Sequence, residues 1–442
     1  VSCKKTAFQI LSSLQSEIFS TFLKDNFKTN PEDFTRNRKQ SFSGTILFML
    51  NFLTRSLSIE IVNFLSFLKR KDIAQETFSK SAFVQARKKI KPEVFKHLNQ
   101  RIIEEFYKDN SGVLRQFDNL RILAMDGSRL TLPFTKELEE IYGQTKNQTN
   151  TYIVQAKACV LYDLLNEICI NGVLSSIDTD ERTQAKQLLE HCQANDLIIY
   201  DRGYPSFELI YEHYQKNLHF LMRMPLDFSQ VVKDFVASGK TSQIVEIKPG
   251  QKKSFENKPY TKSSTLKIRL LRITLNGGGI EVLATSLLDS KHYGNEVFKE
   301  LYFKRWKIET YYDELKNKLK IEEFSGYSNQ SILQDFYSTL FVSNIQTLIE
   351  NEINEEIEKE SETKNIKYQY KINTTLSYGF MKDRILELFF TKNDMNDIIN
   401  ELKELFKKHL IPIRPNRKFE RKIGKYRTRT KPIVTKNQKN SL

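Results

Sequence analysis

The sequence predicts an α/β fold in which a mixed-sheet core, interrupted by a basic β-rich insertion, lies between helical regions. Three observations lead to this prediction. Residues 118–225 alternate between short apolar runs with strand character and helical segments. Residues 226–290 contain strand-like runs separated by turn-forming residues. Apolar residues recur at helical spacing through 1–115 and again after residue 330. At 442 residues the chain is long enough for two or three domains.

The first 115 residues are predicted to form a helical N-terminal domain. Within it the basic segment 79–91, SKSAFVQARKKIK, begins with a serine that can cap a helix, either Ser79 or Ser81. The side chains expected to pack inward are Ala82, Phe83 and Ala86. The polar side chains expected to face outward are Gln85, Arg87, Lys88 and Lys89. Such a helix either reads the major groove of DNA or is an ordinary basic surface helix, and the two interpretations carry equal weight.

The core segment is predicted to hold five strands and two helices. The strands fall near 121–125, 152–164, 167–174, 197–200 and 219–223, and the helices near 181–193 and 205–216. Asp126 follows the first of these strands and Asp201 follows the fourth, each with a glycine one or two residues later. An acid at the end of a strand points into a crevice. The simpler alternative is that both aspartates stabilise turns.

Residues 226–290 change in character and in charge. Residues 228–280 contain ten Lys/Arg against three acidic residues. We interpret the segment as a basic β insertion that grips nucleic acid above a catalytic site, and a plain surface hairpin is the alternative.

A four-residue pattern follows the insertion: Tyr302-x2-Arg305-x3-Glu309-x6-Lys316. On one helix running from about Asn295 to Lys320 these residues lie within roughly 60° of one another. A helix face with one aromatic residue and two cations around one acid is poorly suited to burial in a hydrophobic core. The set suits an acid that binds a metal while its neighbours hold phosphate oxygens. A surface ion pair between Arg305 and Glu309 is the alternative.

Two strand-end aspartates followed by a helical glutamate is the order found in the RNase H-like nuclease and transposase core. The motifs MDGS, YDRGYPS and the Tyr-Arg-Glu-Lys pattern closely resemble DDE transposases of bacterial insertion sequences, specifically the insertion sequence four family. The spacings fit, with 75 residues from Asp126 to Asp201 and 108 from Asp201 to Glu309. The segments SKSAFVQARKKIKPEVF, YQYKINTTLSYG and IRPNRKFERK extend the resemblance from about residue 40 to 430.

The resemblance implies metal-dependent cleavage of DNA strands and their transfer to target DNA. Asp126, Asp201 and Glu309 would bind two Mg²⁺ or Mn²⁺ ions. Tyr302, Arg305 and Lys316 would contact the DNA phosphates. The family implies cut-and-paste transposition through a hairpinned end, in an assembly of two protein copies and two DNA ends.

An aromatic residue of the insertion helps to hold a flipped base in related transposases. That residue is a tryptophan in some of them, but the single tryptophan here is Trp306, in the predicted catalytic helix. Phe255 and Tyr260 are the candidates that the insertion offers instead.

The C-terminal part is predicted to be helical and to end in a basic tail. Residues 330–350 and 381–409 have amphipathic helical patterns, and the acidic segment 351–365 is predicted to be a solvated loop. Residues 414–442 hold eleven Lys/Arg and one acidic residue, out of a net charge of +15 for the chain. The full predicted division is 1–115, 116–225, 226–290, 291–350, 351–413 and 414–442.

Several protein classes are disfavoured by composition. No segment approaches 18 uninterrupted apolar residues, and no signal peptide is visible. The four cysteines show no metal-ligand spacing, so reduced thiols in a cytoplasmic, nucleoid-associated bacterial protein are expected. Two alternatives to a transposase remain: an RNase H-like nuclease without strand transfer, and a decayed or domesticated copy that binds DNA only. All three acids are present, which counts against loss of the metal site.

Overall fold

The computed structural model divides the chain into two compact units. The first is made of Val1–Asp109, Leu315–Ser325 and Gln334–Leu442, and the second of Asn110–Glu314 and Gly326–Leu333. The structure describes residues 5–36, 40–51, 53, 55–70, 78–108, 114–146, 151–250, 255–275, 278–363, 368–382, 384–390 and 395–414. The predicted basic tail therefore lies outside the described residues, except for Arg414.

The first unit combines helices from both ends of the chain. Its N-terminal helices are α1 (Ala7–Ile18), α2 (Thr21–Phe27), α3 (Phe42–Leu50), α4 (Leu57–Arg70), α5 (Lys80–Arg87) and α6 (Glu93–Lys108). Its C-terminal elements, which follow helix α13 (Asn329–Thr363), are β10 (Tyr370–Ile372), α14 (Thr374–Met381), α15 (Arg384–Phe390), α16 (Met395–Lys408) and β11 (Leu410–Pro412), with β10 and β11 paired antiparallel.

An aromatic cluster forms much of the core of the first unit. The ring of Phe48 on α3 lies 5.0 Å from that of Phe64 on α4 and 4.7 Å from that of Phe83 on α5. Phe390 on α15 approaches Phe64 at 5.8 Å, so the C-terminal helices complete the core begun by the N-terminal ones. Aromatic side chains bury large apolar areas, which is why a chain with 31 Phe can build a core with a modest aliphatic content.

Helix α5 corresponds to the predicted recognition helix and is capped by Ser79, whose hydroxyl accepts from the backbone N–H of Ala82. Phe83 and Ala86 are buried, and Gln85 and Lys88 are exposed, as the pattern predicted. The prediction for Arg87 is wrong: its side chain is only 4% exposed. It donates to Gln334, Ser325 and Asp335 at 2.8–2.9 Å. A guanidinium held by a carboxylate and two neutral oxygens inside the unit is a structural ion pair, which argues against an outward DNA contact.

The second unit is built on one mixed sheet. Its strands are β1 (Ile122–Thr131), β2 (Gln144–Lys146), β3 (Tyr152–Asp163), β4 (Cys169–Ser176), β5 (Leu197–Tyr200), β6 (His219–Met224), β7 (Ser242–Ile247), β8 (Leu266–Thr274) and β9 (Ile280–Thr285). Among the described residues the sheet order is β2-β3-β1-β5-β6-β9-β8-β7, and β4 also pairs with β3. Of the strand pairs that the described residues form, only β1–β5 and β5–β6 are parallel. All five strands predicted for 118–225 are confirmed.

The helices of the second unit connect and cover these strands. They are α7 (Lys136–Tyr142), α8 (Glu181–Leu189), α9 (Phe207–Gln215), α10 (Gln230–Ala237), α11 (Asn295–Lys304) and α12 (Trp306–Asp313). Every residue of β5 is buried, as expected for a central strand between two covered faces.

The strands predicted for the insertion are present, and they continue the central sheet. Strand β9 pairs antiparallel with β6, and β8 and β7 follow in order. Residues 226–290 therefore extend the same hydrogen-bonded ladder that carries β5 and β6.

Two predictions for the later helices are wrong in detail. The helix expected from 295 to 320 is divided into α11, α12 and a π-helical segment, Glu314–Lys318. The acidic segment 351–365 was predicted to be a loop, but α13 runs through Asn329–Thr363. Glutamate favours helices, and Glu352 and Glu356, one turn apart, pair with Lys403 and Lys407 of α16. None of the helices in the described part of the chain is long and apolar enough to cross a membrane.

Candidate active site

Asp126 lies inside β1, at the point where that strand leaves the core. The four residues before it, from Ile122 to Met125, are buried, and Asp126 is the first half-buried one. Its Oδ1 accepts from the backbone N–H of Gly127 at 2.9 Å. The strand continues to Thr131, so Asp126 lies within it, and the strand extends beyond the predicted range 121–125.

Asp201 lies directly after β5, which is the parallel neighbour of β1. The register pairs Ala124 with Ile199, and the two aspartates stand two residues further along their strands. Parallel strands in register bring equivalent positions to the same sheet edge, so Asp126 and Asp201 lie side by side. The prediction that these two strands are neighbours is confirmed.

Glu309 lies on α12 and reaches the same edge through Arg305. The Nη2 of Arg305 lies 2.8 Å from Oε1 of Glu309, and its Nη1 lies 3.7 Å from Oδ2 of Asp126. Tyr302 donates its hydroxyl to Oδ1 of Asp201 at 3.0 Å. Three residues of the predicted pattern therefore contact one another or the two aspartates. The Arg305–Glu309 pair is half-buried, because the arginine is only 5% exposed while the glutamate side chain is 40% exposed.

The backbone tightens at Arg305, between α11 and α12. The N–H of Arg305 donates to the carbonyl of Tyr302, and the N–H of Ile308 donates to the carbonyl of Arg305, both at 3.0 Å. Hydrogen bonds between residues three apart wind the chain more tightly than an α-helix. Lys316 follows in the π-helical segment and belongs to the first unit, so its role in the site stays a prediction.

Two further residues at the site were missed by sequence reasoning. The hydroxyl of Tyr312 lies 2.9 Å from the carbonyl oxygen of Asp126 and 3.2 Å from that of Ala158, so α12 is tied to β1 at the aspartate itself. Arg223 on β6 lies 3.7 Å from Oδ1 of Asp201 and 2.9 Å from Oε1 of Glu281. Tyr312 stands one helical turn after Glu309, which is a signal that the sequence offered. Arg223 gives no comparable signal, because its place depends on strand order.

The electrostatics of the site distinguish Asp126 from the other groups. Burial raises the pKa of Asp126 to about 6, and the carboxylates of Glu309 and Asp201 raise it as well, while the Gly127 N–H and Arg305 oppose the shift. Burial and the adjacent Asp201 also raise the pKa of Tyr302. The phenol is therefore protonated at neutral pH and able to donate.

The donor set suits a hard divalent cation, since three carboxylates supply the oxygen ligands that Mg²⁺ and Mn²⁺ prefer. Within the described residues, however, no three His, Cys, Asp or Glu side chains lie close enough to share one ion. Arg305 contacts the carboxylates of Asp126 and Glu309 instead, and Tyr302 donates to that of Asp201.

The aromatic candidates differ in accessibility. Tyr260 is only 6% exposed, and its ring packs on those of Phe207 and Tyr211, so it is not available to stack on a base. Phe255 is half-buried against the same tyrosine. Trp306 is 54% exposed, and the guanidinium carbon of Arg305 lies 5.3 Å from its ring.

Comparison with known proteins gives three findings. A family model described as a transposase DDE domain matches residues 118–345, just over half of the chain. The transposase InsG for insertion sequence element IS4, from Escherichia coli (strain K12), is 23% identical over 270 residues, which are 60% of each protein. The chain thus spans about 60% of the length of that curated relative. The cryo-EM structure of the piggyBac transposase synaptic complex with hairpin DNA matches with a TM-score of 0.46 and 10% identity, over 90% of this chain and 84% of that one.

Proposed function

Because this chain belongs to the transposase DDE domain family, as its motifs predicted, we propose that it is a DNA transposase. It cleaves DNA at the ends of an insertion sequence and transfers the strands into target DNA. The observation that carries the proposal is the meeting of the Asp126, Asp201 and Glu309 elements at Arg305 and Tyr302. Acids from two adjacent parallel strands and one later helix are thereby brought to one sheet edge.

The sheet supports an RNase H-like core. Strands β4, β3 and β1 are successive antiparallel neighbours, and β5 and β6 then add in parallel on the other side of β1. This is the order expected for that fold from three strands, a helix, a strand, a helix and a strand. Strands β7–β9 form the basic insertion in this scheme and provide a surface for the DNA backbone.

Asp126, Asp201 and Glu309 are proposed to hold two divalent ions, Mg²⁺ or Mn²⁺. When bound, such ions activate water or a DNA 3′-hydroxyl and stabilise the leaving oxygen of an in-line displacement. The carboxylates must be ionised to bind a cation, and burial raises the pKa of Asp126 to about 6, so that a fall in pH below neutrality protonates this carboxyl group. Arg305 is the group that must give up its hold on Asp126 and Glu309 as the cations bind.

The Tyr-Arg-Glu-Lys residues are proposed to hold the DNA end. Arg305 neutralises phosphate charge and can do so through two N–H groups at once. Lys316 adds a second cation, and the protonated Tyr302 donates a hydrogen bond to a phosphate oxygen. Loss of the Lys316 ammonium is expected to weaken end processing more than folding, because an ammonium on a helix surface adds little stability.

The assembly is proposed to contain double-stranded DNA, both terminal repeats and target, and two copies of the chain. Gln85 on α5 and Lys88, which caps the C-terminal end of that helix, are the proposed N-terminal contacts, since both side chains are exposed. The site of action is the bacterial nucleoid, within the cytoplasm.

The proposal is tested with the inverted repeats that border the gene. An end-labelled duplex of one repeat is incubated with purified protein and Mg²⁺, beside Glu309→Ala and the matched control Glu296→Ala, an exposed acid on α11. We expect nicking at the repeat boundary, followed by a hairpin or joined product, for the wild type and the control only. Asp126→Ala and Asp201→Ala should likewise abolish cleavage and retain binding of the repeat.

Other outcomes assign the chain differently. Cleavage anywhere along the duplex identifies a general nuclease. Specific binding without cleavage in either Mg²⁺ or Mn²⁺ identifies a decayed or domesticated copy. Full Mg²⁺-dependent cleavage by any one of the three acid variants removes that residue from the catalytic set.

A further inference from the structure

The N-terminal end of α3, in the first unit, borders a pocket. Its volume is about 330 Å³, and its walls come from residues between Phe19 and Ser43. This volume lies at the lower end of the range for pockets that hold small organic ligands. Among the described residues that line the pocket, two are cations, Lys24 and Arg36, and none is acidic. The pocket is therefore suited to an anion.

Gln40 supplies the observation that points most directly to a ligand. It lines the pocket and is only 8% exposed. Its side-chain nitrogen Nε2 is buried and has no hydrogen-bond acceptor among the described residues. A primary amide nitrogen carries two N–H donors, and burying them without an acceptor is unfavourable. A ligand oxygen in the pocket would satisfy them.

Ser41 places further donors at the same pocket. It directly follows Gln40 and is the N-cap of α3, and its Oγ accepts from the backbone N–H of Gly44 at 3.0 Å. Because the hydroxyl accepts there, its own hydrogen is available for a ligand. The first N–H groups of this nine-residue helix have no partner within the helix, and the helix dipole favours negative charge beside them. The helix end and the unpaired amide thus favour the same kind of ligand.

Lys24 and Arg36 add positive charge to the pocket. Neither forms an ion pair within the described part of the chain, and Asp25, the neighbour of Lys24 in the sequence, pairs with Lys28 at 2.9 Å instead. Lys24 is half-buried and Arg36 is exposed. A phosphate group pairs well with both an ammonium and a guanidinium, and it accepts several hydrogen bonds at once.

Phe19 gives the pocket an aromatic wall that remains accessible. Its side chain is 49% exposed, although its ring contacts that of Phe390 at 6.1 Å. Nucleic-acid bases stack on such rings whatever their sequence, because every base has a flat π face. Cations, an unpaired amide and an accessible ring in one pocket match the phosphate and the base of a nucleotide.

We propose that this pocket binds a nucleotide. Lys24, Arg36 and Gln40 hold its phosphate, and Phe19 stacks on its base. The nucleotide belongs either to a DNA strand or to the free pool, and the test separates these two sources. The inference goes beyond the proposed function, since none of the three acids of the proposed site lines the pocket.

The test is a calorimetric titration of the full chain with thymidine 5′-monophosphate. We expect Lys24→Ala, Arg36→Ala and Gln40→Met each to raise the Kd about tenfold, as for the loss of one hydrogen bond to a charged group. The matched control is Lys69→Ala, which removes an exposed cation of α4 outside the pocket and should leave the Kd unchanged. Inorganic phosphate should bind more weakly than the nucleotide, and Phe19→Leu should remove that difference. Equal wild-type affinities for the two ligands would overturn the contact with the base.

Unfolding without ligand separates binding by Gln40 from a structural role. Gln40→Met keeps the length of the side chain and removes its two donors. The unfolding free energy of the ligand-free variant should be equal to that of the wild type or higher, because an unpaired buried donor is removed. Thymidine 5′-monophosphate should raise the Tm of the wild type more than that of the variant. A clear loss of ligand-free stability in Gln40→Met would assign the amide to the fold and overturn its role in the pocket.

A second titration, with a duplex of the terminal repeat, identifies the source of the nucleotide. If Gln40→Met weakens binding of the duplex, the pocket holds a nucleotide of the DNA. If it weakens binding of the monophosphate alone, the pocket takes a free nucleotide. If it changes neither Kd, the inference is overturned. The cleavage assay is independent of these titrations, so a wild type that shows the expected Kd changes and cleaves no DNA overturns the proposed function alone.

Discussion

His213 shows how one buried side chain links strand β5 to the acid stability of the fold. Its Nδ1 lies 2.8 Å from the carbonyl oxygen of Leu209, and its Nε2 lies 3.2 Å from the hydroxyl of Tyr200, the last residue of β5. The ring is fully buried, and burial lowers its pKa from 6.5 to about 4. The folded protein therefore holds His213 neutral near pH 7. Its partner Tyr200 directly precedes Asp201 in the sequence.

We expect acid to destabilise the fold through His213. Below pH 6.5 the unfolded chain takes up a proton on this residue, whereas the folded chain takes it up only near pH 4. The stabilisation is thus complete above the unfolded pKa and is lost as pH falls toward the folded one. From pH 7 to 5 this costs about 2 kcal/mol of unfolding free energy, measurable by urea denaturation at the two values.

The variant His213→Leu should remove that share of the pH dependence, although it lowers stability at pH 7 by losing two hydrogen bonds. The control is His191→Gln, at an exposed position, which should keep the wild-type difference between pH 7 and 5. An unchanged difference in His213→Leu would place the acid sensitivity in other groups.

Individual side chains show which signals are local in the sequence and which are not. Asp126, Asp201 and Glu309 were predicted as one site, because strand ends, glycines and helical spacing are local signals. Arg87 was misassigned, because its partners Ser325 and Asp335 lie 238 and 248 residues away.

At the level of elements, the contact between α12 and β1 is what fixes the site. Tyr312 is buried, and its hydroxyl bonds to backbone carbonyls on both β1 and β3, at Asp126 and Ala158. Helix α12 also carries Glu309, so this phenol ties the helix that carries Glu309 to the strand that carries Asp126.

Tyr312→Phe should remove the hydrogen bonds between α12 and the sheet while the ring still fills its place in the core. We expect the unfolding free energy to fall by about 1 kcal/mol, as for loss of one buried hydrogen bond. The rate of cleavage at the transposon end should fall by more than the loss of folded protein explains, because small misplacements of the proposed catalytic groups lower the rate strongly. Denaturant unfolding and cleavage rates of the same preparation measure both. Tyr327→Phe, at a position 73% exposed, is the matched control. A stability loss with unaltered cleavage would limit Tyr312 to a structural role.

Elements differ in how well the sequence predicts them. Strand β5 was predicted exactly at its bounds, because an uninterrupted apolar run before an Asp is a strong local signal. The division of the predicted catalytic helix at Arg305 was not predicted. No Gly or Pro marks the break in the sequence, and Arg305 makes tertiary contacts at that point. The helical acidic segment of α13 was missed because its stability comes partly from Lys403 and Lys407 on α16.

At the level of the whole molecule, charge is the feature that composition predicts best. The net charge is +15, and much of it lies in the first 115 residues and in 414–442, around a more acidic centre. Basic ends suit phosphate contact and an acidic centre suits cation binding. Charge counting alone does not identify which cations face solvent, and α5 makes the distinction: Lys88 is exposed and Arg87 is internal.

Substitutions of the two neighbouring cations Arg87 and Lys88, at the C-terminal end of α5, should therefore have different effects. Lys88→Ala should weaken binding to all duplexes and lower the slope of log affinity against log salt by about 1, as for loss of one phosphate contact. Arg87→Ala should leave the slope unchanged in the folded fraction but cost about 3 kcal/mol or more of stability, because Asp335 loses its buried partner. Binding titrations from about 50 to 200 mM salt, with unfolding curves for each variant, measure both effects. A reduced slope in Arg87→Ala with full stability would reverse the assignment and return Arg87 to the DNA surface.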